Sequence, residues 1–198
     1  MKVQLDKSYP MPCSVDVAWE FLRDIESVAA CMPGAAITER VDAGRYKGTV
    51  TVRVGPATMS FRGEVEMRDV DPATRTLRLL GKGSDAGSVA AMDLTARIEP
   101  AEANRCTLVG SSEVTMSGKA ATFGGRMMGA VSDQVLQKFA DNFAARVGAL
   151  EAERASPASP GTASAAAVAP AAHELDGIAL AWAVLKGWLR RLFGKKTA

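Results

Sequence analysis

Side chains able to do chemistry are few in this chain, and they do not converge. The single histidine, His173, stands outside the stretch that reads as globular. Neither a His-dependent nucleophile nor a zinc site of the usual His/Cys type can therefore be assembled inside the fold. The three cysteines, Cys13, Cys31 and Cys106, are scattered and form no CxxC pair. Such usage fits a reducing compartment and excludes a disulfide framework. Candidate acids and bases are Glu20, Arg53, Asp133 and Asp141. The two aspartates stand eight residues apart on one helical pattern, about two turns, too far to act as a carboxylate pair. They read as solvated. Gly81, Gly83 and Gly87 in LGKGSDAGS miss the GxGxxG spacing, and alternating strands flank them on both sides. A dinucleotide loop must open a helix, so these glycines read as a hairpin. No catalytic residue, no metal ligand and no covalently bound cofactor is expected.

The chemistry that remains is apolar. Methionines recur on inferred inward faces, at Met59, Met67, Met92 and Met116, and at the start of a long helix, at Met127 and Met128. Gly124, Gly125, Gly129 and Ala130 surround the last two. Small residues leave room, and unbranched thioether side chains reshape around irregular guests. One reading is a malleable cavity lined by Val52, Phe61, Met67, Leu79, Met92 and Met116 from strands and by Met127, Met128, Gly129, Val131 and Val135 from the helix. Ordinary core filling would use the same residues.

The elements that would hold these side chains follow from periodicity. An opening strand at about Lys2–Tyr9 ends at Pro10 and Pro12. Ser14 or Asp16 can cap a helix bearing Val17, Trp19, Phe21 and Leu22. A second helix, about Ile25–Met32, stops at Pro33-Gly34. From Thr49 to Met116 apolar residues alternate with polar ones, for example Met59, Phe61, Val65 and Met67 against Ser60, Arg62, Glu64, Glu66 and Arg68. Period two with short turns means an antiparallel sheet with one wet face. Between Ala120 and Glu153 the spacing becomes three or four (Phe123, Met127, Val131, Val135, Phe139, Phe143, Val147, Leu150), which predicts one long amphipathic helix. A curved sheet covered by that helix is the economical α+β solution for residues 1–154.

Beyond it the composition shifts. Residues 155–172 carry no charge and hold nine alanines and three prolines among eighteen positions, so they read as a flexible linker. As a coil it spans roughly 20–25 Å, and fully extended about 60 Å. Residues 173–198 carry 5 basic and 2 acidic side chains, whereas residues 1–154 carry 19 and 20. A near-neutral globule gives no electrostatic footprint for nucleic acid, while a basic tail points to an anionic surface. The tail also reads as an amphipathic helix. Ile178, Trp182, Leu185, Leu189 and Leu192 share a face, Trp188 and Phe193 lie at its margins, and Arg190 and Arg191 lie elsewhere around it. A membrane surface satisfies both halves of that pattern. A partner protein's groove, or the domain's own, is the alternative. No secretory signal and no apolar run of about 18 residues is visible, so a span is not expected.

Several motifs carry a family likeness. DIESVAACMPGA, with Cys31-Met32-Pro33-Gly34 as its most specific part, Val54-Gly55-Pro56 followed by Phe61-Arg62-Gly63, the DVDP turn at Asp69–Pro72, and GKG…AGS resemble the carbon monoxide dehydrogenase CoxG family. This family belongs to the START-like (SRPBCC) superfamily. The likeness runs over about residues 1–150. It implies a helix-grip fold, in which a seven-stranded antiparallel sheet wraps around a long C-terminal helix and an apolar tunnel. It also implies a non-enzymatic accessory role beside a molybdenum-containing dehydrogenase. On these grounds the expected ligand is a lipophilic molecule, with a respiratory quinone as the best candidate. The expected location is cytoplasmic, peripheral on the inner face of the cell membrane. A ligand-free recruitment adaptor, a maturation factor for the metal centre and a small hydrolase or cyclase are the rival readings.

The tail reading predicts that a chain ending at Arg154 stays folded and monomeric yet no longer sediments with anionic vesicles. Binding of the full chain should weaken with salt. Vesicle binding by the shortened chain equal to that of the full one would refute it.

Overall fold

Each hairpin of the sheet is closed by residues whose chemistry demands a turn. The computed structural model describes residues 1–123 and 125–156. It contains seven strands: β1 (Lys2–Met11), β2 (Ala35–Arg40), β3 (Arg45–Val54), β4 (Ala57–Asp71), β5 (Thr76–Asp85), β6 (Ser88–Ala101) and β7 (Arg105–Gly118). Helices α1 (Val15–Arg23) and α2 (Ile25–Cys31) separate the first two strands, and α3 (Gly125–Ala155) closes the described chain. Every pairing is antiparallel, in the order β1-β7-β6-β5-β4-β3-β2. Gly55-Pro56 joins β3 to β4, and Ala86-Gly87 joins β5 to β6, so the LGKGSDAGS glycines form a hairpin as expected. Asp42 and Asp71 fold their carboxylates back onto amides two and three residues ahead, which fixes two further turns.

The two faces of the sheet have opposite chemistry. On the outer face Glu39, Lys47, Glu64 and Lys82 stand side by side across β2, β3, β4 and β5, with alternating charge. Opposite charges directly across strands favour this register and disfavour a slip. On the inner face apolar residues converge on α1, α2 and the C-terminal half of α3. Phe143, Leu77, Val17, Val147 and Met11 are almost completely buried there. Phe21 meets the Phe143 ring edge-on, with centroids 4.9 Å apart.

Two glycines are required by close approach. Gly34, at the end of the Cys31–Gly34 motif, has φ +76°, and a Cβ there would lie 2.2 Å from the Thr51 carbonyl oxygen. That contact lets the Gly34 carbonyl accept from the Thr51 amide at 2.9 Å. The same motif is held from the other side, where Asn142 of α3 donates to the Cys31 carbonyl at 2.9 Å. Gly63 sits between Gly48 and Gly83 in register across β3, β4 and β5. A Cβ at Gly63 would come within 1.9 Å of the Lys82 carbonyl oxygen. The strands crowd at this point, which only a residue without a side chain permits.

Two expectations are corrected. Ser14 occupies the N-cap of α1, but its side chain does not cap it. Instead its hydroxyl and amide both donate to Glu151 near the end of α3, at 2.7 and 3.0 Å. The long helix begins at Gly125, not Ala120, because residues Lys119–Phe123 form a 3-10 turn. Glycines there are poor helix formers, so the pattern of apolar spacing overran the helix. A strand at Ala35–Arg40 is also present, although its residues alternate weakly. The linker beyond Ser156 and the amphipathic helix expected at 173–198 lie outside the described residues.

Replacing Gly63 by Ala should force β4 and β5 apart and lower stability by about 1–3 kcal/mol. Chemical denaturation measures this. An unchanged midpoint would show that the crowding is not real.

Candidate functional site

Register places the inward side chains in rows across the sheet. One row runs Leu5, Ser112, Leu94, Leu79, Met67 from β1 through β7, β6, β5 and β4. The next runs Val3, Val114, Met92, Gly81, Val65, and a third runs Met116, Ala90, Gly83, Gly63. Lys7 of β1 pairs with Asp133 of α3 at 2.8 Å, which fixes the helix over the sheet at this level. The Asp133 carboxylate, hydrogen-bonded to the Lys7 ammonium, raises the lysine's pKa.

Burial along α3 is graded. Ala140, Phe143 and Val147 in its C-terminal half are sealed. Val131 and Val135 in its N-terminal half are only half-buried, and so are Val3, Leu5, Phe61, Val65, Met92 and Val114 on the sheet. The core accordingly falls into two clusters. The larger holds Phe143 and its neighbours. The smaller, at the N-terminal end of α3, holds Val54, Met59, Met116, Ala120 and Met128.

The residues singled out from sequence are distributed over both clusters. Met116 and Met128 are buried in the smaller one, with Phe61 and Val131 packed against it. Leu79 is buried in the larger, with Met67 and Met92 packed against it. Val52, Gly129 and Val135 are half-buried. Met127 is 45% exposed, because it lies about 100° around the helix from Met128 and so off the inward stripe. The tail residues Ile178 to Phe193 lie outside the described residues. Sequence reading missed Val3, Val54, Val114 and Ser112. Strand alternation could have found Val54, in phase with Val52, and Ser112 and Val114, in phase with Met116; Val3 is brought in by its pairing with Val114.

The polar candidates do not gather. Glu20 pairs with Arg154, Asp133 with Lys7, and Asp141 accepts from Gln137. Arg53 is exposed. Cys13 and Cys106 are buried with their sulfurs 3.8 Å apart. Burial pushes the Cys13 thiol up to about 12 and raises those of Cys31 and Cys106, so none is a thiolate near neutrality. Among the described residues no three His, Cys, Asp or Glu side chains are grouped to hold a metal, and no helix is long and apolar enough to cross a membrane. The arrangement offers an apolar surface between sheet and helix.

Comparison with known proteins agrees with this geometry. The model of the carbon monoxide dehydrogenase CoxG family matches residues 11–148. A conserved protein from Geobacillus kaustophilus is similar in structure, with TM-score 0.68 and 18% identity over 74% of this chain and 96% of that one. A START superfamily protein from Mycobacterium smegmatis follows with TM-score 0.54, 15% identity, and 74% and 98% covered. The ZhuI aromatase/cyclase from Streptomyces sp. R1128 has TM-score 0.55, 16% identity, and 74% and 94% covered. No curated protein matches. At such identities the likeness establishes the fold, which is the START-like helix grip.

The burial of the three thiols predicts that a thiol reagent at pH 8 labels none of them in the folded protein and all three after unfolding. Rapid labelling of Cys13 in the native state would contradict the assignment.

Proposed function

The chain belongs to the carbon monoxide dehydrogenase CoxG family, and from that membership we propose that its START-like domain carries one extended lipophilic molecule between the N-terminal half of α3 and the sheet. The observation that supports this is the burial gradient. Several inward-facing apolar side chains, Val131 and Val135 among them, are only partly buried where the helix begins, while Ala140, Phe143 and Val147 toward its other end are sealed. Methionines at Met59, Met116 and Met128 border that region and can reshape around a guest.

A respiratory quinone is the ligand that fits the role best. A soluble dehydrogenase must deliver electrons to an acceptor dissolved in lipid. Moving an isoprenoid tail into water costs roughly 4 kcal/mol per five-carbon unit, so a carrier must bury it. An apolar gap under a helix offsets that cost. The basic amphipathic tail would dock on the inner membrane face, and the linker would let the domain turn between membrane and enzyme. In this account the protein is a non-enzymatic accessory of a molybdenum-containing carbon monoxide dehydrogenase, located at the cytoplasmic side of the membrane. The scattered acids and the suppressed thiols are consistent with carriage without chemistry.

Mass spectrometry of an organic extract of the purified full chain tests this. A prenylated quinone in stoichiometric amount is expected. A Cβ at Gly129 meets nothing within 4 Å, so Gly129→Trp should fold, at a cost of no more than about 1–3 kcal/mol, and lose most of the co-purified molecule. Extracts free of any lipophile, from protein purified without detergent, would favour a ligand-free membrane-recruitment adaptor instead.

A further inference from the structure

One buried polar atom in the domain has no partner. The Ser112 hydroxyl oxygen is the sole side-chain nitrogen or oxygen among the described residues that is buried and makes no hydrogen bond. Ser112 is 8% exposed. The other buried serine, Ser88, is satisfied, since its hydroxyl accepts from the Ala120 amide at 3.0 Å.

Position makes this atom informative. In β7 the inward phase runs Cys106, Leu108, Gly110, Ser112, Val114, Met116, while Ser111 and Glu113 face outward, to Asp6 and Lys2. Ser112 therefore points to the inner face of the sheet, the face that α3 covers. Its neighbours across the sheet are Leu5 and Leu94. Neither can hydrogen-bond through its side chain. On one side along the strand lies Gly110, where a Cβ would touch only a Leu94 methyl, at 3.7 Å. On the other lies Val114, packed against the smaller cluster, while Leu94 packs against the larger. The hydroxyl thus stands at the seam between the two clusters. The Lys7–Asp133 pair holds α3 over the adjoining row, because Lys7 lies opposite Gly110.

A buried hydroxyl without a partner is unfavourable, and alanine would fill this inward position without that cost. Resting on the carrier reading above, we propose that Ser112 is the polar anchor of the bound molecule. Its hydroxyl donates to a carbonyl oxygen on a ligand that is otherwise apolar. The chemical class this selects is a lipophile with a ketone or quinone oxygen, placed at the seam with its hydrocarbon part along the methionine-bordered half of the gap. A pure hydrocarbon chain would leave the hydroxyl unpaired.

Two probes of equal shape test the assignment on the full chain: a prenylated 1,4-naphthoquinone and the matching prenylated naphthalene without oxygens. Wild type should bind the quinone about five- to tenfold more tightly, the increment of one net hydrogen bond. Ser112→Ala should abolish that difference by weakening the quinone alone. It should leave the melting temperature of the ligand-free protein unchanged or raised, since the lost hydroxyl had no partner. A preference for the quinone that survives in Ser112→Ala overturns the anchor and leaves the carrier reading standing. Equal binding of both probes by wild type, or a destabilised ligand-free variant, also overturns the anchor. Failure of wild type to bind either probe overturns both.

Discussion

The seating of Phe143 and Val147 against α1 and the sheet is the contact on which the rest of the molecule depends. A seven-stranded sheet with one apolar face needs a cover, and α3, 31 residues and about 46 Å long, is the main one available. Its C-terminal half is committed. Aromatic and aliphatic side chains lock it into the larger cluster, Asn142 ties it to the Cys31 carbonyl, and Glu151 receives both donors of Ser14. With one end fixed in this way, the other end projects over the methionine-rich part of the sheet. The Lys7–Asp133 pair, 2.8 Å apart, ties it to β1 there. The two ends of one helix thus differ in packing.

Much of this was legible in the residues. Alternation from Thr49 to Met116 revealed the antiparallel sheet, because one wet face and one dry face leave a period of two. The three-and-four spacing after Ala120 revealed the helix. Other features depended on tertiary context. The exchange of Ser14 from a local cap to a partner 137 residues away cannot be read from a local motif. The strand at Ala35–Arg40 exists because Gly34 docks on Thr51 and delivers the chain to the edge of β3. Intrinsic preference contributes little there. Spacing of four puts Met127 in line with Val131 and Val135, but at the first turn of α3 it is Met128, about 100° further round, that turns inward. Ser112 was passed over because a serine in an apolar phase looks like an interruption. Its burial without a partner marks it as a candidate contact.

START-like folds host both catalysts and carriers, so the fold does not decide between them. In this chain the side chains bear on the choice. The acids are engaged at the surface, and the thiols are buried and hard to ionise. The glycines that miss a nucleotide-loop spacing lie instead in the β5–β6 hairpin. What faces the interior is mostly apolar, with Ser88 and Ser112 as the buried polar residues among those described. Such a lining suits the proposed carriage of a hydrophobic molecule.

The central claim is where the lipophile sits. Photo-crosslinking of the full chain with a quinone bearing a diazirine on its prenyl tail, followed by peptide mapping, tests it most directly. The account predicts adducts on the inward residues of the N-terminal half of α3 and the facing strands, such as Met128, Val131, Met116 and Phe61. Adducts confined to the outer sheet face, or to the C-terminal segment beyond Ser156, would contradict it.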